Sequence, residues 1–220
     1  MKVIPIVSGG LDSAVLVAFL KDQGHEIPMC LGFDYNQKHV KELSAATDLM
    51  LDYFKLKFEV VIIEGLSDLM PGSSQTDPNT PVPEGHYTSE SMKTTIVSNR
   101  NMIMLSIATG VAIAQGADAI AYAAHAGDHA IYPDCREEFV IALQEAIKVG
   151  TGRELRVLAP FLEWEKKHIV LRGDDLGVPL HLTWSCYKGG VNHCGKCGTC
   201  VERKEAFELA HVEDRTGYEA

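Results

Sequence analysis

The glycine pair Gly9 and Gly10 constrains the fold of this chain more than any other feature, because of the elements on either side of it. The apolar run from Val3 to Val7 precedes the pair and predicts a strand, and a helical pattern begins at Asp12. Glycine lets the backbone adopt a positive φ and approach a ligand, and free N–H groups at a helix start attract anions. A phosphate site is therefore predicted in the loop formed by Ser8, Gly9, Gly10, Leu11, Asp12 and Ser13.

This loop lacks the lysine of the G-x-x-x-x-G-K-[ST] phosphate loop, which reaches the β- and γ-phosphates of a nucleotide. Without that lysine, we expect the loop to bind the pyrophosphate portion of ATP and to leave the α-phosphate open to attack. Such an arrangement favours AMP-forming chemistry over transfer of the γ-phosphate. The alternative interpretation is a glycine turn between strand and helix that binds no ligand.

Composition and charge narrow the class of protein. The chain has 220 residues, of which 46% are hydrophobic, so it can bury the core of a single domain over residues 1–220. It has neither the residue series of a signal peptide nor an apolar run long enough to span a bilayer, so we expect a cytoplasmic protein with no membrane partner. The net charge of −10 disfavours an extended nucleic-acid-binding surface, which needs clustered Lys and Arg.

Four of the six cysteines form the pattern Cys186-x7-Cys194-x2-Cys197-x2-Cys200, with glycines in the spacers. Two-residue spacers let successive thiolates face one tetrahedral ion, and four thiolates leave no open position for water, so a structural zinc site is predicted. The competing interpretation is a pair of disulfides or a redox pair. It is disfavoured because the cysteines of a cytosolic chain stay reduced. His193 is an alternative ligand in place of Cys194.

Short apolar runs alternate with helical patterns along the chain, which predicts an α/β fold with a Rossmann-like parallel sheet and helices on both faces. The helix that begins at Arg100 is apolar nearly all round, which suggests burial against a second surface such as another subunit. Pro5 removes a ladder donor from the first strand and is expected at a strand start, a bulge or an edge. The predicted strands are Val3 to Val7, Pro28 to Phe33, Phe58 to Ile63, Ala119 to Ala124 and Arg156 to Leu158. The predicted helices are Asp12 to Gln23, Gln37 to Lys55, Arg100 to Gln115, Arg136 to Val149 and Glu165 to Leu176.

The segment from Glu64 to Val97 differs in composition, since four prolines and three glycines are spread among Ser, Thr and Asp residues. Long loops in compact domains are covers or binding loops, or else they are disordered. We expect residues 64–97 to form a lid-like loop over the binding site.

Polar residues follow the predicted strands, where ligands of parallel α/β sheets bind. Arg100 lies at a helix start, which is unfavourable for the helix dipole unless an anion binds there. Lys38 is a second candidate cation, with a surface charge as the alternative. Asp128 is a candidate Mg²⁺ ligand or a turn cap. Asp134 and Arg136 are candidates for substrate recognition, or else for the cap and first turn of a helix.

Taken together and in order, these segments resemble the 7-cyano-7-deazaguanine synthase family, a group of ATP-dependent enzymes within the ATP pyrophosphatases. The resemblance spans the chain. It lies in Ser8 to Ser13, Phe33 to His39, Asn99 to Asn101, Tyr132 to Phe139, Leu182 to Tyr187 and the cysteine cluster.

The chain departs from the usual family pattern at three places next to the expected pocket. The family usually has glycine where this chain has Asn36. The other two departures are Ser98 and Asn99 in place of a commoner Pro-Gly or Pro-Asn, and Ala130 and Ile131 in place of Ser-Gly.

The resemblance implies a fold of the adenine nucleotide alpha-hydrolase type with a C-terminal zinc-binding segment at residues 182–220. It implies a ligase that uses ATP to convert 7-carboxy-7-deazaguanine and ammonia into the nitrile, and such enzymes are commonly homodimers. The implied zinc ligands are Cys186, Cys194, Cys197 and Cys200. Catalytic roles are expected for Asp12, Lys38 and Arg100, with Mg²⁺ held by Asp12 or Asp128.

The remaining expected site residues form two groups. Residues expected to bind ATP together with the glycine loop are Tyr35, Gln37 and Asn101. A planar heterocycle favours stacking and edge hydrogen bonds. Residues expected to hold the purine-like ring in this way are Tyr132, Asp134, Arg136 and Tyr187.

Three alternative functions stay open from the sequence. A relative that stops at the 7-amido product would serve DNA modification. A tRNA-modifying sulfurtransferase would use the same ATP loop, but it needs RNA contact and leaves only Cys30 and Cys135 for sulfur relay. A zinc module that contacts a partner would leave the phosphate loop without a ligand.

Overall fold

The structure, a computed structural model, describes residues 1–87, 89–129 and 131–219. Thr88, Ala130 and Ala220 lie outside the described residues, and with them the predicted departure at Ala130. The strands are β1 (Val3–Pro5), β2 (Cys30–Asp34), β3 (Phe58–Ile62), β4 (Ala119–Ala121) and β5 (Arg156–Leu158). The α-helices are α1 (Leu11–Asp22), α2 (Lys41–Thr47), α3 (Leu66–Leu69), α4 (Ser89–Lys93), α5 (Arg100–Ala114), α6 (Glu137–Thr151), α7 (Lys166–Asp175) and α8 (Gly198–Ala210).

All strand pairs are parallel, as predicted. β1 pairs with β4 and β4 with β5, while β2 pairs with β3. A bridge between Ile6 and Leu31 joins the two groups, so the strands run in the order β3, β2, β1, β4, β5. The order places β1 in the centre of the sheet, with the glycine loop at its carboxyl end.

Pro5 explains why the β1–β2 ladder is interrupted. The N–H of Val3 donates to the Glu26 carbonyl at 2.8 Å, and the N–H of Val7 donates to that of Leu31 at 2.7 Å. Pro5 lies midway between these two donors and has no N–H to give, so β1 and β2 meet only at separate bridges. The expected edge or strand-start position is therefore wrong, because β1 is a central strand that tolerates one missing donor.

Helices cover both faces of the sheet, which confirms the predicted layers. Alternate strand residues point to opposite faces. Val3 and Ala119 belong to the apolar core beneath α1 and α7, whereas Ile4 and Ile120 belong to the core beneath α5 and α6. Both cores consist mainly of fully buried aliphatic side chains, so the central strands are buried on two sides.

Two helix predictions need correction. The helix predicted from Gln37 begins only at Lys41, because residues 37–40 form a turn, and α2 continues into a π-helical segment, Asp48–Tyr53. The helix α8 was not predicted at all, because the glycine and cysteine spacing at its start is typical of a metal knuckle. α8 buries Arg203 completely, and its guanidinium donates to the Leu180 carbonyl at 2.7 Å.

Two of the departures from the family pattern have a backbone explanation. Asn36 has φ of 64° and Asn99 has φ of 58°, both in the left-handed region. Asparagine is the residue that, after glycine, most readily adopts this conformation. Asn36 therefore takes a backbone shape for which glycine is the usual residue.

The described residues of the segment from Glu64 to Val97, which are 64–87 and 89–97, include α3, α4 and a buried stretch at residues 73–76. The N–H of Lys38 donates to the Gln75 carbonyl at 2.8 Å, and the N–H of Ser74 donates to that of Thr94 at 2.7 Å. The stretch is thus fixed from both sides. Among the described helices, none combines the length and apolar character needed to cross a bilayer.

Candidate active site

A cavity of about 250 Å³ opens at the carboxyl ends of β1, β2 and β4, where parallel α/β sheets bind ligands. Most of the predicted site residues line it. These are Ser8, Gly10, Leu11, Asp12, Ser13, Tyr35, Arg100, Asn101, Tyr132 and Tyr187. The structure does not bring the others to the cavity wall, and these are Gly9, Gln37, Lys38, Asp134 and Arg136.

The two glycines of the loop have different roles. Gly9 has φ of +93°, and a Cβ added there would lie 2.0 Å from the Glu42 carbonyl oxygen, so the close approach is to α2 rather than to a ligand. Gly10 is the N-cap of α1 and brings no side-chain cap, so the first N–H groups of this helix stay available to an anion. The N–H of Trp184 donates to the Gly9 carbonyl at 2.9 Å and holds the loop from the other side.

Replacing Gly9 with alanine should destabilise the protein by several kcal/mol, since the methyl group would meet the backbone of α2 and the residue would have a strained φ. Gly24→Ala is a matched control, because Gly24 also has a positive φ of +73° but open space around it. Its expected cost is about 1–2 kcal/mol. Urea unfolding measures both. Equal losses in the two variants would contradict the close packing of the loop on α2.

Asp12 lies in a half-buried cluster of charges that reaches the cavity. The ammonium of Lys166 is 3.0 Å from Asp12 Oδ2 and 3.0 Å from Glu202 Oε2. Nε2 of His125 is 4.0 Å from Asp12 Oδ2 and 3.6 Å from Asp128 Oδ2. Three carboxyl groups and two nitrogen bases therefore meet beside the start of α1.

Burial is the largest influence on the pKa of Asp12 and raises it, but the charges of Lys166 and His125 outweigh it, so this pKa is lowered. Burial likewise raises the pKa of Asp128. Asp12 Oδ1 is buried and has no hydrogen-bond partner among the described residues. A buried carboxylate oxygen without a partner, next to a second carboxyl and a phosphate-type loop, fits the ligands that Mg²⁺ takes on nucleotides.

Arg100 is half-buried at the start of α5, and its guanidinium is held by hydrogen bonds to other side chains. Its Nη1 donates to the Tyr35 hydroxyl at 3.1 Å and to Gln75 Oε1 at 2.7 Å. Burial by itself lowers the pKa of Arg100, but the nearby Tyr35 and Tyr187 raise it by more than burial lowers it. The net shift is therefore upward, and the guanidinium keeps its charge. The cavity therefore contains a fixed cation at the start of a helix, where the helix dipole disfavours positive charge. A bound anion would offset this cost.

Gln37 supports the site from outside the cavity wall. Its Oε1 accepts from the Tyr35 N–H at 2.9 Å, and its Nε2 donates to the Phe33 carbonyl at 3.0 Å and to Glu42 Oε1 at 3.1 Å. Lys38 points elsewhere, since its ammonium donates to the Thr80 carbonyl at 2.6 Å. The two residues thus shape the loop after β2, and neither reaches the cavity.

Asp134 and Arg136 make contacts that hold the segment before α6 in place. Asp134 Oδ2 accepts from the N–H of Asn101 at 3.3 Å in the first turn of α5, and Arg136 Nε donates to the His129 carbonyl at 2.7 Å. Asn101 itself donates from Nδ2 to Cys135 Sγ at 3.5 Å. These contacts fix the segment that carries Tyr132 into the cavity.

The four clustered cysteines are buried, unpaired by disulfides and close together, with their sulfurs within 4.8 Å of one another. Cys194 Sγ lies 4.0 Å from Cys200 Sγ, and Cys197 Sγ lies 3.9 Å from Cys186 Sγ. A tetrahedral ion with bonds of 2.3 Å to sulfur needs sulfurs about 3.8 Å apart. The cluster is therefore compatible with a bound metal ion, and the disulfide interpretation has no support in this geometry.

His193 is not a ligand in this arrangement. Its Nε2 accepts from the N–H of Ser185 at 2.9 Å, and its ring packs on Trp184 with centroids 4.4 Å apart. The donor set is therefore all sulfur. N–H groups of the knuckle also donate to sulfur, as Cys197 N does to Cys194 Sγ at 3.2 Å.

The cysteine segment forms one wall of the cavity. Its residues that line the cavity are Trp184, Ser185, Tyr187, Thr199 and Glu202. The segment also contacts the proline-rich loop, since the N–H of Gly85 donates to the Lys196 carbonyl at 2.8 Å and Tyr87 packs on Gly198. The cysteine segment thus contacts a part of the cavity lining that is far from it in sequence.

Sequence reasoning missed several cavity residues, among them Glu42, Tyr87, His125, Lys166 and Glu202. Lys166 begins α7 and Glu202 lies within α8. A charged residue on an amphipathic helix is most often solvated. His125 directly follows the predicted strand and lies four residues after β4, and its position beyond the carboxyl end of a strand was the available signal.

Comparison with known proteins gives a family match over nearly the whole chain. The model of the family described as queuosine biosynthesis protein QueC matches residues 2–211. The chain is 48% identical to a 7-cyano-7-deazaguanine synthase of Brucella anthropi, with all of this chain and 94% of that protein covered. It is 46% identical to one of Caldicellulosiruptor bescii, with all of this chain and 98% of that protein covered.

Solved structures with a similar fold have low sequence identity. The U34-tRNA thiolase NcsA from Methanococcus maripaludis, solved with its [4Fe-4S] cluster, has a TM-score of 0.53 and 15% identity, covering 98% of this chain and 74% of that one. The NMN synthetase of Francisella tularensis has a TM-score of 0.52 and 15% identity, covering 96% and 77%. These two similarities concern the fold alone, and they agree with the predicted α/β fold.

Proposed function

This chain belongs to the queuosine biosynthesis protein QueC family, and we propose on that basis that it is an ATP-dependent ligase making 7-cyano-7-deazaguanine from 7-carboxy-7-deazaguanine and ammonia. The observation that carries the proposal is the anion-binding loop at the carboxyl end of β1, which shares one cavity with the half-buried cation Arg100. This combination suits a nucleotide and a carboxylate substrate side by side.

The chemistry needs ATP because a carboxylate is negatively charged and has no good leaving group. Attack of the carboxylate oxygen on the α-phosphate gives an AMP ester and releases pyrophosphate, and ammonia then displaces AMP to form the amide. A second adenylation, on the amide oxygen, followed by loss of AMP gives the nitrile. Both rounds use the same groups, so one cavity serves for both.

The loop and the two cationic side chains have different roles in this reaction. The loop from Ser8 to Ser13 binds the departing pyrophosphate through backbone N–H groups. Lys166, held beside Asp12 at 3.0 Å, offsets the negative charge that builds up there. Arg100 orients the substrate carboxylate and offsets the charge of the tetrahedral intermediate. No protein nucleophile forms a covalent bond.

Two metal ions belong to the proposal. Asp12 and Asp128 would hold Mg²⁺ together with the phosphates of ATP, where the ion neutralises charge on the pyrophosphate leaving group. Cys186, Cys194, Cys197 and Cys200 would hold Zn²⁺, a structural ion without an open position for water.

Aromatic residues bind the ring of the substrate and exclude water from the cavity. Tyr132 and Tyr187 line the cavity and offer rings and hydroxyls to a planar purine-like substrate. Adenylates hydrolyse, so the cavity has to exclude water. Tyr87 and Met92 reach the cavity from the loop of residues 64–97, which supports its role as a cover.

A sulfurtransferase role finds no support in the remaining thiols. Burial raises the pKa of Cys30 to about 12, and burial raises the pKa of Cys135 as well. A sulfur relay works through the thiolate, which both sites disfavour. The acidic net charge of −10 also supports small-molecule substrates with no nucleic-acid partner.

Assembly and location complete the proposal. α5 presents half-buried apolar residues, among them Ile103 and Ile107. A second copy of the chain would cover this surface in a homodimer. Six free cysteines agree with a reducing, cytoplasmic setting.

Pyrophosphate exchange tests the proposal. Labelled pyrophosphate should enter ATP only when 7-carboxy-7-deazaguanine is present, and ammonium should then give a product with the mass of the nitrile. Release of ADP and orthophosphate, or turnover that depends on tRNA, would contradict the ligase. A product mass that stays at the amide would assign the alternative end point.

A further inference from the structure

The proposed reaction has to remove protons from nitrogen. Ammonia enters with three N–H bonds and the nitrile nitrogen has none, so three protons leave in the course of the two rounds. Near neutral pH ammonia is mainly ammonium, which loses one more proton before its nitrogen can attack. A base beside the nitrogen is therefore needed, and such a base accelerates a reaction roughly 10²–10⁴-fold.

Most carboxyl groups of the cavity are already committed to cations. Each of three lies within 4.0 Å of Lys166 or His125. Glu42 of α2 lines the same cavity, and among the described residues no lysine or arginine lies within 4.0 Å of its carboxyl. The three committed carboxyls are those of Asp12, Asp128 and Glu202.

The side chains around Glu42 hold its carboxyl in place without forming an ion pair with it. Its Oε1 accepts from Gln37 Nε2 at 3.1 Å and lies 3.5 Å from Nε2 of the buried His39. Arg100 from α5 and Tyr35 from the end of β2 are its other charged or titratable neighbours. From the cysteine segment, Tyr187 packs on His39 with ring centroids 4.8 Å apart.

These surroundings leave Glu42 ready to exchange a proton. Burial raises the pKa of Glu42 to about 8, although the Gln37 amide and Arg100 act in the opposite direction. Burial and Arg100 lower the pKa of His39 to about 3, so this neighbour stays neutral and brings no charge. A base works best when its pKa lies near the working pH.

We propose that Glu42 is the general base that accepts protons from the ammonia nitrogen, an inference that rests on the proposed ligase function. An N–H bond of ammonium breaks, its electron pair stays on nitrogen, and the proton moves to a carboxylate oxygen of Glu42. After each transfer the proton passes to solvent and the carboxylate is restored. The same oxygen accepts the protons lost by the amide nitrogen as AMP departs.

Glu42→Gln tests this role, because glutamine keeps the size of the side chain and removes the base. Nitrile formation with ammonium should fall by about 100-fold or more. Pyrophosphate exchange driven by 7-carboxy-7-deazaguanine should persist, since adenylation needs no proton acceptor at nitrogen. Hydroxylamine is uncharged near neutral pH, so its capture of the adenylate should fall far less than that of ammonia.

The outcomes separate this inference from the proposed function. Absence of exchange in the unaltered protein overturns the ligase itself. Normal exchange with ammonia use unimpaired in the variant overturns the role of Glu42, and so does an equal loss with ammonia and hydroxylamine, which would place Glu42 in substrate binding. Glu59→Gln is the control, an exposed carboxyl on β3 paired with Lys57, and should change nothing.

Stability gives a second, independent measurement. The raised pKa means that between about pH 4.5 and 8 the folded chain retains a proton that the unfolded chain has lost, so stability falls as pH rises through this window. Glu42→Gln removes this loss, and its melting temperature should exceed that of the unaltered protein by a margin that grows from pH 5 to pH 8. A variant that melts lower at pH 8, or fails to fold, overturns the inference.

Discussion

Cys197→Ser is expected to release the bound metal and to unfold the C-terminal wall of the cavity. Structural zinc contributes about 10–16 kcal/mol in small metal-dependent domains, which matches or exceeds the total stability of roughly 5–15 kcal/mol of a typical domain. Serine does not replace a thiolate ligand, so most of that contribution is lost. The cysteine segment carries five cavity residues, and activity should disappear together with the metal.

Metal content by elemental analysis and thermal melting measure this effect. Cys30→Ala is the matched control, because Cys30 is equally buried but lies in β2, outside the cluster. It should keep one metal ion per chain and lose a modest part of its stability. A Cys197→Ser protein that keeps its metal and melts normally would show that the cluster is not a structural site.

Lys166→Met is expected to reduce turnover by about 10²–10³-fold, the usual effect of removing one fixed charge from the reacting centre. It should also destabilise the fold by about 3–5 kcal/mol, because Asp12 and Glu202 lose the cation that lies 3.0 Å from each of them. Lys167→Met is the control on the same helix. Lys167 is partly exposed and pairs with Glu165, a surface contact worth roughly 0–1 kcal/mol.

The pH dependence of the Lys166 effect has a definite sign. Lys166, whose pKa is raised, contributes stability below its unfolded pKa, and Asp12, whose pKa is lowered, contributes above its own. Both contributions are complete at pH 7. In Lys166→Met the unpaired carboxyls are easily protonated, so its deficit in stability should shrink towards acid pH. Turnover in Lys166→Met equal to that in Lys167→Met would remove this lysine from the reaction.

The sequence predicted the parallel sheet and the all-sulfur cluster well, because both depend on local signals. Apolar runs between helical patterns identify buried strands, and two-residue spacers between cysteines place thiolates around one ion. The position of Arg100 was predicted by a local conflict, a cation at the wrong end of a helix dipole. Each of these signals lies within a few consecutive residues.

The rest of the site depends on contacts between distant parts of the chain. Lys166 and Asp12 are far apart in sequence, and neither position by itself indicates an ion pair. Lys38 follows a strand as a ligand-binding residue would, yet its ammonium lies on the Thr80 carbonyl because the proline-rich loop passes beside it. Whether a charge faces a cavity or a neighbouring loop is decided by tertiary packing.

The hydrogen bond from Trp184 to Gly9 has a consequence for protein synthesis. The ribosome makes the glycine loop before it makes Trp184, so this hydrogen bond cannot form until Trp184 has left the exit tunnel. Until then the glycine loop of a partly translated chain lacks this support.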